Sequence, residues 1–149
     1  MFDVLYTQTV TLFNRVGEDE ITWYPTVLNN VHLIMDKSAM IANYGEHTTD
    51  NARVHIRYSI KNGNVMIAGK TYYLPKDYRR ATSYTDKITF QTGTNADFIY
   101  AGEWSETAID DDDYTEGFYN YMNTHYDNVF MLTSVSKFNV ITHFEVTAK

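Results

Sequence analysis

The side chains of this 149-residue chain that could do chemistry are five histidines and nineteen carboxylates, with no cysteine among them. Without a thiol there is no disulfide, no Cys-ligated zinc or iron–sulfur cluster and no thiol nucleophile. His32, His47, His55, His125 and His143 form no i,i+4 pair on a helix and no His-Glu-x-x-His. His47 with Asp50 supplies two ligands, fewer than a structural or catalytic metal needs. The run Asp110–Asp113 is like a calcium loop in composition only. Counted from Asp110, Thr115 and Tyr121 stand where an EF-hand requires glycine and glutamate. No Gly-x-Ser-x-Gly, Walker-type or Gly-x-Gly-x-x-Gly run occurs. The chemistry points to no metal or cofactor and to no enzyme.

Two constellations carry other readings. Glu103 and Glu106 flank Trp104. A carboxylate pair beside an aromatic is the minimum of a small carbohydrate-binding or hydrolytic domain. Lys76, Arg79, Arg80 and Lys87 lie among Tyr72, Tyr73, Tyr78 and Tyr84. Bases interleaved with aromatics can grip a nucleic acid, contact an acidic neighbour, or form an ordinary solvated face. The net charge is −7, which disfavours a generic DNA binder. That charge is unevenly spread. Residues 88–136 contain no Lys or Arg and hold Asp97, Glu103, Glu106, Asp110, Asp111, Asp112, Asp113, Glu116 and Asp127, whereas the rest of the chain carries +2. Such a segment would repel DNA from the wall of a ring's channel, or dock on a basic neighbour.

The elements that would position these groups are mostly strands. The chain is 44% hydrophobic and 15% aromatic, enough for the core of one domain. Leu5–Arg15, Ile21–Leu28 and Val31–Met35 read as strands, with a turn at Asn29-Asn30 and an edge or bend at Pro25. In Arg53–Ile60, Val54, Ile56, Tyr58 and Ile60 alternate with polar residues, predicting one buried face. His55 and His143 fall on wet strand faces. Asn62-Gly63 marks a tight turn. Val65–Ile67, Thr71–Leu74, Ile88–Gln91, Phe98–Trp104, Val129–Val135 and Phe138–Val146 complete the strands, and Pro75 opens a short helix over 76–81. The apolar stripe Tyr114, Phe118, Tyr121, Met122 and His125 predicts one amphipathic helix over Asp110–Asp127, capped by Asp113 with Glu116. Asp36–Asn51 is a long polar connection containing Met40, Ile41, Tyr44 and Glu46, a docking loop if functional. No run approaches the ~20 apolar residues of a membrane span, and Met1-Phe2-Asp3-Val4 does not open a signal peptide. The expectation is a mainly β fold: one small β-barrel or sandwich over 1–149 with one amphipathic helix, a long loop at 36–51 and an acidic helix-containing insertion at 96–127.

The order of features resembles head-closure (stopper) and minor capsid proteins of siphophage head–tail connectors. The likeness runs through Thr9–Arg15, Trp23 and Val31–Met35, then the long loop, Asp50–Tyr58, Ile67–Leu74 and the final strand Val140–Val146. The resemblance implies a virion structural protein, made in the bacterial host's cytoplasm and located in the neck. Its copies would form a ring, commonly of about twelve, that joins the portal and adaptor to a tail terminator or tail tube. Genome DNA would pass through the lumen without specific binding. It also implies that Met40, Ile41, Tyr44 and Glu46 dock the loop, that Asp110–Asp113 and Glu116 form the acidic channel or contact surface, and that Lys76, Arg79 and Arg80 form a basic contact. The insertion departs from a minimal barrel, which leaves a tail terminator or tail-completion protein as the alternative.

Overall fold

The computed structural model describes residues 6–36 and 51–149. In chain order the strands are β1 (Gln8–Val16), β2 (Thr22–Asp36), β3 (Asn51–Arg57), β4 (Ser59–Lys61), β5 (Asn64–Ile67), β6 (Lys70–Tyr72), β7 (Lys87–Ile88), β8 (Phe98–Tyr100), β9 (Ile109–Asp110), β10 (Val129–Phe138) and β11 (His143–Ala148). The helices are α1 (Pro75–Arg79) and α2 (Phe118–His125). Six strands close an antiparallel barrel in the order β1-β8-β10-β11-β3-β2, with β2 returning to β1. The fold is therefore mainly β, as expected.

Closure depends on β2, which serves two neighbours in succession. Thr22–Val31 pair with β1, then His32–Asp36 pair with β3. Where the strand changes partner, Asn29 and Asn30 together oppose Thr9, and Asn30 takes φ +56°. Thr9 Oγ1 lies 2.9 Å from Asn29 Oδ1. This is a β-bulge, which bends a strand and increases its twist without ending it. The two strands expected at 21–28 and 31–35 are thus one, and the expected turn is its bend. Pro25 sits opposite Phe13. On the edge of β2 away from β1, β9 pairs only Thr22 and Trp23 and β3 only His32–Asp36, so Pro25 has no partner there and its missing N–H costs no ladder bond.

Alternation sets the barrel core. Val10, Leu12, Leu28, Val54, Ile56, Ile99, Phe130, Leu132, Phe144 and Val146 are buried together. The β4–β7 sheet joins this core through Ile67 and Ile88. Its two hairpins turn on Asn62-Gly63 and Ala68-Gly69, all four residues at positive φ, the twist that suits right-handed strands. Tyr58 ends the barrel strand. Its hydroxyl lies 3.0 Å from the Phe138 carbonyl and 2.9 Å from Asn139 Oδ1. The chain then leaves for the small sheet, where Ser59, Ile60 and Lys61 are all exposed, so the alternation stops and Ile60, expected inside, is 64% exposed.

A second apolar cluster lies outside the wall. Phe13, Trp23 and Phe98 point away from the barrel interior and are covered by Phe118 and Met122 of α2. Phe13 stacks on Phe98 at 4.6 Å and meets Phe118 edge-on at 5.2 Å. Burial on both sides explains why the middle of β1 has no wet face. β8, only three residues long, holds β1 on one side and β10 on the other.

The helix is shorter than its stripe predicts. Asp111–Asp113 form a single 3-10 turn, and α2 begins only after Gly117, whose φ of +85° lies outside the helical region. The expected box of Asp113 and Glu116 is not what caps it. Asp111 Oδ1 instead accepts from the Phe118 N–H at 2.8 Å and from Trp23 Nε1 at 2.9 Å.

Asp97 joins the barrel to its outer layer and is fully buried. Oδ1 accepts from the Arg15 N–H at 2.7 Å and Gln91 Nε2 at 2.8 Å. Oδ2 accepts from Asn14 Nδ2 and the Gln91 N–H, both at 2.8 Å. Burial pushes its pKa up to about 7, and these N–H donors pull against that. All four partners donate, an arrangement that suits an ionised carboxylate. Replacing Asp97 by Asn turns an NH2 group toward two donors, and urea unfolding at pH 8 is expected to register a loss of about 2–4 kcal/mol. A change under about 0.5 kcal/mol would show that the network does not hold the fold.

Candidate functional site

Of the five acids expected to form a surface, Asp110–Asp113 and Glu116, four are exposed and one is turned inward. Asp110, Asp112, Asp113 and Glu116 are exposed on the 3-10 turn and the approach to α2. Asp111 is turned inward onto Trp23 and Phe118, and Asp97 lies in the core, so neither belongs to the outer charge. Beside these acids, Tyr114 and Tyr121 meet at 4.7 Å and Tyr121 and His125 at 4.6 Å. Together with Asp113 and Glu116 they line an open cleft of about 510 Å³. Carboxylates next to aromatic rings suit a cationic side chain.

A second surface emerges only from the register. His32 pairs with His55, and His55 with Glu145. These residues and His143 alternate with inward-facing neighbours, so they share the outer face of β2, β3 and β11. The rings run in a row: Phe138 stacks on His143 at 4.8 Å, His143 on His55 at 5.5 Å, and His55 meets His32 edge-on at 5.3 Å. Tyr6 continues the row 6.0 Å from His32, with the Arg57 guanidinium 4.2 Å above its ring. Arg53 is exposed on the same face, and Glu145 lies 4.0 Å from His55 Nε2. Burial holds the His55 pKa below its ordinary value. Glu145 opposes that shift, and His32, His143 and Arg53 add to it. Sequence reading placed His55 and His143 on wet faces but not beside each other. The available signal was that three histidines fall at outward positions; the register that joins them is a property of the closed barrel.

The remaining candidates are separated or absorbed. Lys76, Arg79 and Arg80 are exposed on and just after α1, and Arg79 Nη1 donates to Gln91 Oε1 at 3.2 Å. The tyrosines around them are not a stacking platform. Tyr78 is fully buried, and Tyr84 packs on it at 5.0 Å and on Tyr24 at 5.1 Å. Trp104 joins the outer aromatic cluster. Glu103 and Glu106 line a polar cleft of about 550 Å³ whose lining does not include Trp104. Glu106 Oε2 accepts from the Val27 N–H at 2.8 Å and lies 3.9 Å from Lys70 Nζ. It covers a backbone donor on the unpaired edge of β2. Lys70 in turn donates to Thr26 Oγ1 at 2.8 Å. Among the described residues no three His, Asp or Glu side chains are placed to hold a metal ion. Met40, Ile41, Tyr44 and Glu46, with His47 and Asp50, lie outside the described residues.

Residues 5–149 match the model of a family of unknown function, DUF6751, and the chain belongs to that family. No curated protein and no solved structure matches it.

Two outcomes follow from this geometry. Asp111→Ala removes both bonds that fasten α2 over Trp23, and is expected to cost about 1–3 kcal/mol in urea unfolding, with Trp fluorescence shifting red as the layer loosens. Unchanged emission would sink that role. For His55, the folded pKa lies below the unfolded one, so the unfolded chain takes up the proton first. Its contribution is intact above about pH 6.5 and is lost as pH falls below that. The wild type is therefore expected to lose more melting temperature than His55→Gln between pH 7.5 and pH 5.5. Parallel curves would refute the assignment.

Proposed function

We propose that this member of the DUF6751 family is a non-enzymatic structural subunit of a tailed-phage virion, a head-closure ring component of the neck. The observation that supports this best is the closed six-stranded barrel carrying its acidic excess in one outer layer. A barrel filled by its own side chains acts through its outside. A layer braced by Asp111 and the Phe13–Phe118 contact presents charge from a rigid base. The ring joins the portal and adaptor to the tail terminator or tail tube, and DNA passes its wall without adhering, because carboxylates repel phosphates. Interfaces of about 1,600 Å² per contact suffice for such assembly. In this reading Met40, Ile41, Tyr44 and Glu46 dock on an adjoining ring, Asp110, Asp112, Asp113 and Glu116 form the acidic surface, and Lys76, Arg79 and Arg80 add a basic contact. A tail-completion subunit is the same class of object one position further along the particle.

Quantitative mass spectrometry of purified virions from the genome that encodes the chain tests this. The expected result is the chain at about twelve copies per particle, with antibody labelling at the head–tail junction in electron micrographs. Absence from intact virions would overturn the proposal.

A further inference from the structure

The acidic layer and the histidine row lie on opposite sides of the barrel. β11 stands three strands from β1 whichever way the wall is followed. The acidic layer is seated on the outward residues of β1 and β8 and the first half of β2. The row occupies the outward residues of β11, β3 and the second half of β2. In a ring of about twelve identical copies, the two contact faces of each subunit lie roughly 150° apart, so nearly opposite faces are the ones that meet.

The charges on these faces are complementary. The described charged and titratable groups around the row are Arg53, Arg57, Glu145, Tyr6, His32, His55 and His143. The layer presents Asp110, Asp112, Asp113 and Glu116 beside the Tyr114–Tyr121 rings, within a stretch that holds no Lys or Arg. The bases of α1 are less suited to this contact. The β4–β7 unit packs on the barrel core and on the inward-facing Tyr24 and Thr26 of β2, and its Lys70 already lies 3.9 Å from Glu106 of the same chain.

We propose that the histidine–arginine face of β2, β3 and β11 is the docking surface for the acidic layer of a second copy of this chain, joining copies head to tail. The closure of such a chain into a ring rests on the neck reading; the contact itself does not. Arg53 is the fixed cation of the contact, and the Tyr114–Tyr121 cleft is shaped to take a guanidinium over its rings. The imidazoles are the variable part. Among the described residues Arg53 stands beside Glu145 on this face, and as pH falls each proton taken up adds attraction to the neighbour's carboxylates. Docking therefore takes up protons and strengthens toward acid.

The absence of cysteine permits a direct test. Thr115→Cys marks the acidic layer and Ser136→Cys, which pairs with Glu145, marks the row; both positions are exposed. At about 1 mM protein and pH 5.5, a short bis-maleimide is expected to link the two variants to each other and neither to itself. Sedimentation equilibrium is expected to show association tightening about tenfold from pH 7.5 to pH 5.5 and weakening with salt. Arg53→Glu and Asp113→Lys should each weaken it about tenfold, and mixing the two variants should restore it. Links between like positions, or from Thr115→Cys to Ser83→Cys near α1, would overturn the face assignment, as would a monomer under all these conditions. In each of these cases the neck reading stands or falls separately, on the virion measurement.

Discussion

Asp97 imposes the constraint on which the arrangement turns. A buried carboxylate is tolerated only where donors replace water, and here four N–H groups do so from two separate parts of the chain. Asn14 and Arg15 come from the end of β1, Gln91 from the segment after β7, and Asp97 itself immediately precedes β8. One side chain therefore sets where β1 ends, where the small sheet rejoins the barrel and where β8 enters the wall. Because the partners all donate, the site selects the ionised form at the very place where burial opposes it. Two apolar systems meet there: the barrel interior, and the aromatic layer led by Phe13, Phe98 and Phe118.

That double burial shapes what the amino-acid order reveals. Where one face is wet, as in 53–57, alternation reads correctly, and the Asn62-Gly63 turn is equally plain because positive φ restricts the choice of residue. Where both faces are covered, as in the middle of β1, residues on both sides are buried and the alternation carries less information. The acidic helix misleads for a different reason. Tyr114, Phe118, Tyr121 and Met122 do cover one surface, but Tyr114 reaches it from outside the helix, across the break at Gly117. An apolar stripe records which side chains meet the core and not whether a continuous helix delivers them.

The surfaces were legible in inverse measure to their dependence on register. A run of four aspartates is visible in one dimension, and three of the four are exposed. The histidine row draws on three strands distant in sequence, and only the pairing of β2 with β3 and β11 makes His32, His55 and His143 neighbours. Asp97 and Asp111 appear in the sequence as part of the same charge excess, yet both act as internal fasteners. Counting charge along a chain cannot separate a solvated carboxylate from one held by donors.

The brevity of β8 has a mechanical consequence. With three residues it forms the thinnest stave of the wall, and its seam with β10 runs only from Val129 to Met131, extended by one bond from the Leu132 N–H to the Asp97 carbonyl. A lateral load on the barrel would concentrate along these few rungs, since adjoining seams share force over more hydrogen bonds. The aromatic plate bolted across the seam by Phe98, Phe118 and Tyr119 then acts as a splint. It stiffens the wall at the one place where the backbone alone is weakest.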